Sequence, residues 1–256
     1  MTYGLVLLAR SGSSRLPGKS LLPVEGRPVV AHQLARLKEA TRTQRIVLAT
    51  TVLPEDDALC AVAEAEGVDV FRGSPHDVLR RMGDAVSCFG IDFAVVVGGD
   101  DVFCDGEFVD AVVVEQQRTG ADFVTMEGVP FGTAPLGVLS AALRRVLALR
   151  ADESSDGWER FFTDLGLFRT HTFIPPDPAL HHPEIRLDLD YAEDYELVKA
   201  VYARLFDGGV PPLRSVVRLL TEEEPHLADI NRTAQEKWLK NRANAWPPLR
   251  LKPVHE

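Results

Sequence analysis

Apolar runs alternate with helix-like patterns through the first hundred residues, and this alternation restricts the fold more than any other feature of the chain. The strand-like runs are Leu5–Ala9, Arg45–Thr50, Val68–Phe71 and Phe93–Val97, with helical patterns between them at about Pro28–Glu39, Pro54–Glu66 and Pro75–Cys88. Strands separated by helices imply a parallel sheet joined by helical crossovers. Ala94-Val95-Val96-Val97 lacks any polar alternation, so it belongs in the middle of a sheet covered on both faces. Such sheets bind ligands beyond the carboxyl ends of their strands.

At 256 residues, 45% apolar and 26% charged, the chain suits one α/β domain with a core that needs no metal or disulfide staple. A net charge of −10 argues against a nucleic-acid polymer as partner, because phosphate-tracking surfaces need a basic excess. Cys60, Cys88 and Cys104 are widely spaced in apolar surroundings, which predicts buried free thiols in a reducing compartment. No leader-like segment or membrane-spanning apolar run is visible, so the expectation is a cytoplasmic protein with no membrane partner.

Farther along, Phe108–Thr119 reads as a helix. Short strands are expected around Asp122–Thr125 and Phe168–Phe173, and helices around Leu139–Leu149 and Trp158–Leu165. Arg186–Asp190 reads as a returning strand and Glu193–Leu205 as a helix, while the tail from Lys237 has no clear period. The expected organisation is a main domain over 1–232, with an acceptor or dimerisation excursion at about 126–180, and a tail over 233–256.

Four segments carry chemistry. The first strand breaks into Arg10-Ser11-Gly12-Ser13-Ser14-Arg15-Leu16-Pro17-Gly18-Lys19, where small residues leave backbone N–H groups for an anion and three cations can neutralise a polyphosphate. It is not a P-loop, since five residues rather than four separate Gly12 from Gly18; a solvated basic turn is the competing reading. Gly98-Gly99-Asp100-Asp101 ends the most apolar strand and offers hard oxygen ligands for a divalent cation, or else forms a turn. In Asp188-Leu189-Asp190, the two aspartates share one face, and Asp190 with Glu193 also fits a capping box. In Phe71-Arg72-Gly73-Ser74-Pro75-His76-Asp77, Ser74 and Pro75 read as the start of a helix, leaving Arg72 and Gly73 to contact a nucleotide base. The histidines show no zinc-ligand spacing.

On these residues the chain resembles the cytidylyltransferases that activate acidic sugars as CMP derivatives, especially the spore-coat-polysaccharide branch related to CMP-KDO and CMP-sialate synthetases. The resemblance lies in Ala9 through Lys19, in Val70-Phe71-Arg72-Gly73-Ser74 with Asp77-Val78-Leu79, in Gly99-Asp100, in Asp190 with Glu193-Asp194, and in Pro225-His226-Leu227. It implies a three-layer, Rossmann-like nucleotide-diphospho-sugar transferase fold of the GT-A type with a mostly parallel central sheet, a magnesium cofactor and a homodimer.

The activity it implies is transfer of CMP from CTP to a 2-keto sugar acid with release of pyrophosphate. Arg10, Arg15 and Lys19, with the Gly12 and Ser13 amides, would bind the CTP triphosphate. Leu8, Ala9, Arg72, Gly73 and Ser74 would line the cytidine pocket, and Asp100 and Asp190 would hold magnesium. Two positions depart from the family's pattern: Val102 stands where a proline is usual, and Asp156-Gly157-Trp158-Glu159 where a Glu-His pair is common. These leave room for a different acid, such as a phosphonate, as acceptor, or for a nucleotide-binding partner without turnover. A glycosyltransferase would place an Asp-x-Asp at the strand end, which Asp100-Asp101-Val102 does not supply.

Overall fold

The computed structural model describes residues 1–153, 157–245 and 248–253. The strands, in chain order, are β1 (Tyr3–Leu8), β2 (Pro23–Val24), β3 (Arg27–Pro28), β4 (Arg45–Thr51), β5 (Asp69–Gly73), β6 (Phe93–Gly98), β7 (Phe123–Met126), β8 (Leu136–Leu139) and β9 (Thr170–Phe173). The helices are α1 (Val29–Leu37), α2 (Asp57–Ala65), α3 (Val78–Cys88), α4 (Gly106–Thr119), α5 (Ser140–Leu149), α6 (Arg160–Thr163), α7 (Ala192–Leu205), α8 (Leu213–Arg218) and α9 (Arg232–Ala245).

Seven strands form one sheet in the order β5-β4-β1-β6-β8-β7-β9, and β2 and β3 form a separate small hairpin. Within the large sheet β8 alone runs antiparallel to its neighbours, so β6 and β7, on either side of it, point the same way. Alternation along the central strands sends side chains to two cores. Leu5, Leu7, Leu48, Val95 and Val97 face α1, α2, α4 and α7. Val6, Val47, Ala49, Ala94 and Val96 face α3, α5 and α6. A sheet apolar on both faces must be covered on both, which gives the three layers expected from the sequence.

Several expectations are corrected. The helix foreseen from Pro75 begins at Val78: Asp77 is its N-cap, accepting the Arg80 N–H at 2.9 Å. Asp77 is fixed there because it is buried against Arg150 in a two-point ion pair, and the Ser74 hydroxyl accepts the Asp77 N–H at 3.1 Å, one turn too early to cap the helix. The helix foreseen from Pro54 opens as a 3-10 turn over Pro54–Asp56 before α2.

Arg186–Asp190 is extended but, among the described residues, makes no ladder and a single bridge, between Phe131 and Arg186. It is stitched between two loops instead: Leu187 N–H donates to Phe131 O at 2.7 Å and Leu189 N–H to Asp100 O at 3.0 Å. The box at the start of α7 uses Asp194, not Glu193; its carboxylate accepts the N–H groups of Asp190 and Tyr191, both at 2.9 Å. The tail is helical as far as Ala245, through α9. Cys60 and Cys104 are buried, but Cys88 is exposed at the end of α3. No helix among the described residues is long and apolar enough to cross a membrane.

Candidate active site

The carboxyl ends of β1 and β6 lie side by side, and the site grows from their two loops. Gly99 N–H donates to Leu8 O at 2.8 Å, and a Cβ on Gly99 would fall 2.7 Å from that of Ala9. Glycine at 99 therefore lets the acidic loop press directly on the cationic one. The cationic loop folds back on itself, with Ser13 and Gly18 N–H groups donating to Ser11 O at 2.8 and 3.1 Å. Ser11 N–H is held by Asp56 Oδ1 at 2.6 Å. Burial would raise the pKa of Asp56, but hydrogen bonds from Thr51 and Ser11 outweigh it and hold the carboxyl below its ordinary range. A Cβ at Gly12 would lie 2.8 Å from Glu55 Oε1. Thus the Ser13 amide, foreseen as an anion donor, is spent within the loop.

The three cations are placed differently. Arg10 is exposed and donates to Pro75 O at 3.0 Å. Arg15 donates to Asp190 Oδ2 at 2.6 Å and lies over the Tyr191 ring. Lys19, only 8% exposed, bridges Asp190 Oδ1 at 2.8 Å and Asp100 Oδ2 at 3.3 Å. Burial works to lower the pKa of Lys19, yet Asp100 and Asp190 raise it overall, so the ammonium stays charged.

Opposite them, carboxylate oxygens of Asp100, Asp101 and Asp188 all lie within 4.8 Å of one another. Burial, then the neighbouring Asp100, pushes the Asp101 carboxyl up to about 8. Burial and the charges of Asp100 and Asp190 likewise drive Asp188 well above the carboxylate range, despite its ion pair with Arg186 at 2.9 Å. Asp190 moves the other way: burial is offset by Lys19 and Arg15, which keep it ionised.

Crowded hard oxygens that repel one another are what a divalent cation discharges, so the donor set fits magnesium. The group contains Asp100 of the expected pair together with Asp101 and Asp188, and Asp190, the pair's other member, stands beside it with Lys19 and Arg15 on its carboxylate. The doubled Asp100-Asp101 and the Asp188/Asp190 alternation were the sequence signals for Asp101 and Asp188.

Asp188 is held from behind and from above. Arg186 donates to Asp188 Oδ2 and is itself anchored on Asp194 at 2.9 Å, with Asn231 donating to Asp194 at 2.8 Å. Gly132, at φ +84°, passes over Asp188 so closely that a Cβ would lie 2.5 Å from the Asp188 Cα, a conformation and a clearance that only glycine meets.

Of the residues expected to meet the base, Leu8 and Ala9 sit at the loop junction. Arg72 is turned into the connection after β4, donating to Thr51 O at 2.9 Å, Leu53 O at 2.7 Å and Asp57 at 2.5 Å. Gly73 packs beside Arg81, whose guanidinium donates to Ser74 O at 2.6 Å. Arg81 is 2% exposed and its Nε has no partner among the described residues; burial and the nearby Arg10 push it down to about 10. No sequence pattern marked it.

A cavity of about 550 Å³ opens from the carboxylates toward the strand ends of β7 and β8, walled by Phe131, Trp158 and Trp238 and carrying Glu127 and Glu159. His171 is not among its lining residues; it pairs with Glu115 at 2.9 Å. Asp156 lies outside the described residues.

The sequence model of a family described as cytidylyltransferase matches residues 5–138. The chain is 28% identical to the Bacillus subtilis spore coat polysaccharide biosynthesis protein SpsF over 225 residues, covering 84% of this chain and 91% of that one. A cytidylyltransferase from Leptospira borgpetersenii superposes with a TM-score of 0.79 at 24% identity, over 89% of this chain and 97% of that one. The CMP:2-keto-3-deoxy-manno-octonic acid synthetase complexed with CTP superposes with a TM-score of 0.61 at 17% identity, over 80% and 99%. These two likenesses establish the shared fold.

Proposed function

The chain belongs to the cytidylyltransferase family, and from that premise we propose that it transfers CMP from CTP to an oxygen of a 2-keto sugar acid, releasing pyrophosphate. The observation that carries this reading is the meeting of Lys19 with Asp100 and Asp190, where a cationic loop and a carboxylate group share one strand edge. A triphosphate needs the first and its counter-cation the second.

Arg10, Arg15 and Lys19 bind and orient the triphosphate, and the backbone at Leu8 and Ala9 borders the cytidine. Asp100, Asp101 and Asp188, with Asp190 beside them, would hold magnesium. When bound, magnesium supplies positive charge to phosphate oxygens. The acceptor hydroxyl oxygen attacks the α-phosphorus in line. A new phosphorus–oxygen bond forms as the bond from the α-phosphorus to the bridging oxygen breaks, its electron pair leaving with pyrophosphate while the hydroxyl proton passes to water. Positioning and charge neutralisation carry most of such a reaction. The working form is a cytoplasmic homodimer.

Pyrophosphate release from each of the four NTPs, with magnesium and a panel of 2-keto sugar acids and phosphonates, tests this reading. CTP-dependent release with a sugar acid is the expected result. Release with another NTP, or none with any acceptor, refutes it.

A further inference from the structure

The turn that carries Asp100 and Asp101 is held by a residue of the helix layer. Gln33 lies in the middle of α1 and is fully buried. Its side-chain amide donates to Gly98 O at 2.7 Å and to Asp101 O at 3.1 Å. Both partners are carbonyl oxygens, so the NH2 end of the amide must face them. The two bonds join the ends of the turn, with Asp100 between them.

Repulsion works against that turn. A Cβ on Gly98 would collide with Asp100 Oδ1 and fall 2.9 Å from Asp101 Oδ2, so both carboxylates fold back over one glycine. They share their group with Asp188, and like charges so close push apart. The turn's own bonds, Asp101 N–H to Gly98 O at 3.1 Å and Gly98 N–H to the Asp101 carboxylate at 2.9 Å, are made by Asp101 itself. Gln33 restrains it from outside.

Packing alone does not account for a glutamine here. Its neighbours on the buried face of α1 include Val29, Val30 and Leu34, and its Oε1 has no hydrogen-bond partner among the described residues. A buried oxygen left without a partner is destabilising, and a methionine of similar length would avoid it.

Resting on the reading above, in which this carboxylate group holds magnesium beside CTP, we propose that Gln33 is a positioning residue for that cation. It keeps the acidic turn closed, so that Asp100 and Asp101 stand together before the metal arrives. Ordering the turn in advance removes that cost from the binding step. Gln33 acts through the backbone of the turn and takes no part in bond making.

Two variants separate positioning from stability. Gln33→Met keeps the side chain's length and removes both donors. Leu59→Ala opens a cavity in the same core from α2, which packs on α1, β4 and β5. CTP affinity is measured for each by titration calorimetry, well below the melting temperature, with excess magnesium and with EDTA. The ratio of the two affinities is the metal's contribution. Gln33→Met is expected to lower that ratio by about tenfold, the worth of one net hydrogen bond, with CTP affinity in EDTA kept. Leu59→Ala is expected to leave the ratio unchanged while lowering the melting temperature at least as much. Hydrogen exchange of the metal-free wild type reads the turn directly: the Asp101, Val102 and Cys104 amides, bonded within it, are expected to exchange slowly and to slow little further with magnesium and CTP.

An unchanged ratio in Gln33→Met overturns the proposal while the metal site stands. So does an equal fall of the ratio in Leu59→Ala, or free exchange of the turn in the metal-free wild type, a result that needs no variant to fold. CTP affinity that is the same with magnesium and with EDTA in the wild type overturns the reading of the carboxylate group as a metal site, and this proposal with it.

Discussion

Replacing Asp101 by asparagine isolates the electrostatic strain of the carboxylate group, because the amide matches the shape of the protonated acid and keeps an oxygen for the Gly98 N–H, now bonded to Asp101 at 2.9 Å. An unfolded aspartate loses its proton near pH 4, whereas burial and Asp100 hold the folded Asp101 carboxyl protonated up to about 8. Between those values the folded state binds the extra proton. Stability therefore falls as pH rises, by up to about 1.4 kcal/mol per pH unit for one proton.

Three pH units of that slope bound the penalty at pH 7 at about 4 kcal/mol; the partial exposure of the residue screens the charge and leaves about 2 kcal/mol. Asp101→Asn should thus raise the melting temperature at pH 7 by about 4–8 °C in metal-free buffer, with little change at pH 4. Magnesium should raise the wild-type melting temperature more than the variant's, since the variant has less repulsion to relieve. Scanning calorimetry from pH 4 to 8, with EDTA and with magnesium, reads both effects. Parallel pH profiles for the two proteins, or equal increments with magnesium, would refute the reasoning.

Lys19→Ala removes the cation between two carboxylates. Turnover should drop by about a hundredfold or more, and loss of a buried ion-pair partner should cost about 3 kcal/mol, a fall of about 6–12 °C in melting temperature with the fold retained. Near-native pyrophosphate release would remove Lys19 from the site. Gly132→Ala forces a Cβ against the Asp188 backbone and should cost about 1 kcal/mol or more in strain together with about tenfold in turnover, while CTP binding by calorimetry changes little; unchanged turnover would show that the loop over Asp188 is free to move. Asp77→Ala strands the buried Arg150 and uncaps α3, so its melting temperature should fall by at least 6 °C, about 3 kcal/mol, and a smaller change would mean that the pair is dispensable.

The parallel half of the sheet was readable because β1, β4 and β6 are buried on both faces, and such strands write themselves as continuous apolar runs. β8 was not: Leu136-Gly137-Val138-Leu139 runs straight into α5, and its glycine, which suggests a turn in a sequence, is there because a Cβ would lie 2.5 Å from the Phe93 ring. Arg186–Asp190 taught the opposite lesson. Its period of two is real, with Leu187 and Leu189 in the core and Asp188 and Asp190 toward the site, but alternation reports which face is buried and says nothing about a ladder partner.

The same distinction separates the legible part of the site from the rest. The cationic loop is local, since one turn supplies its cations and backbone donors, and the carboxylate group is built from two segments, Asp100-Asp101 and Asp188, that each leave a compact motif. The cavity wall is assembled from Glu127 after β7, Trp158 before α6 and Trp238 in α9, residues that share no segment and line one cavity only through the folded arrangement of an antiparallel strand and a C-terminal helix. On the proposed reading, specificity for the acceptor rests on the part of the chain where local pattern is weakest. That wall can be read from the folded chain, and from no single stretch of sequence.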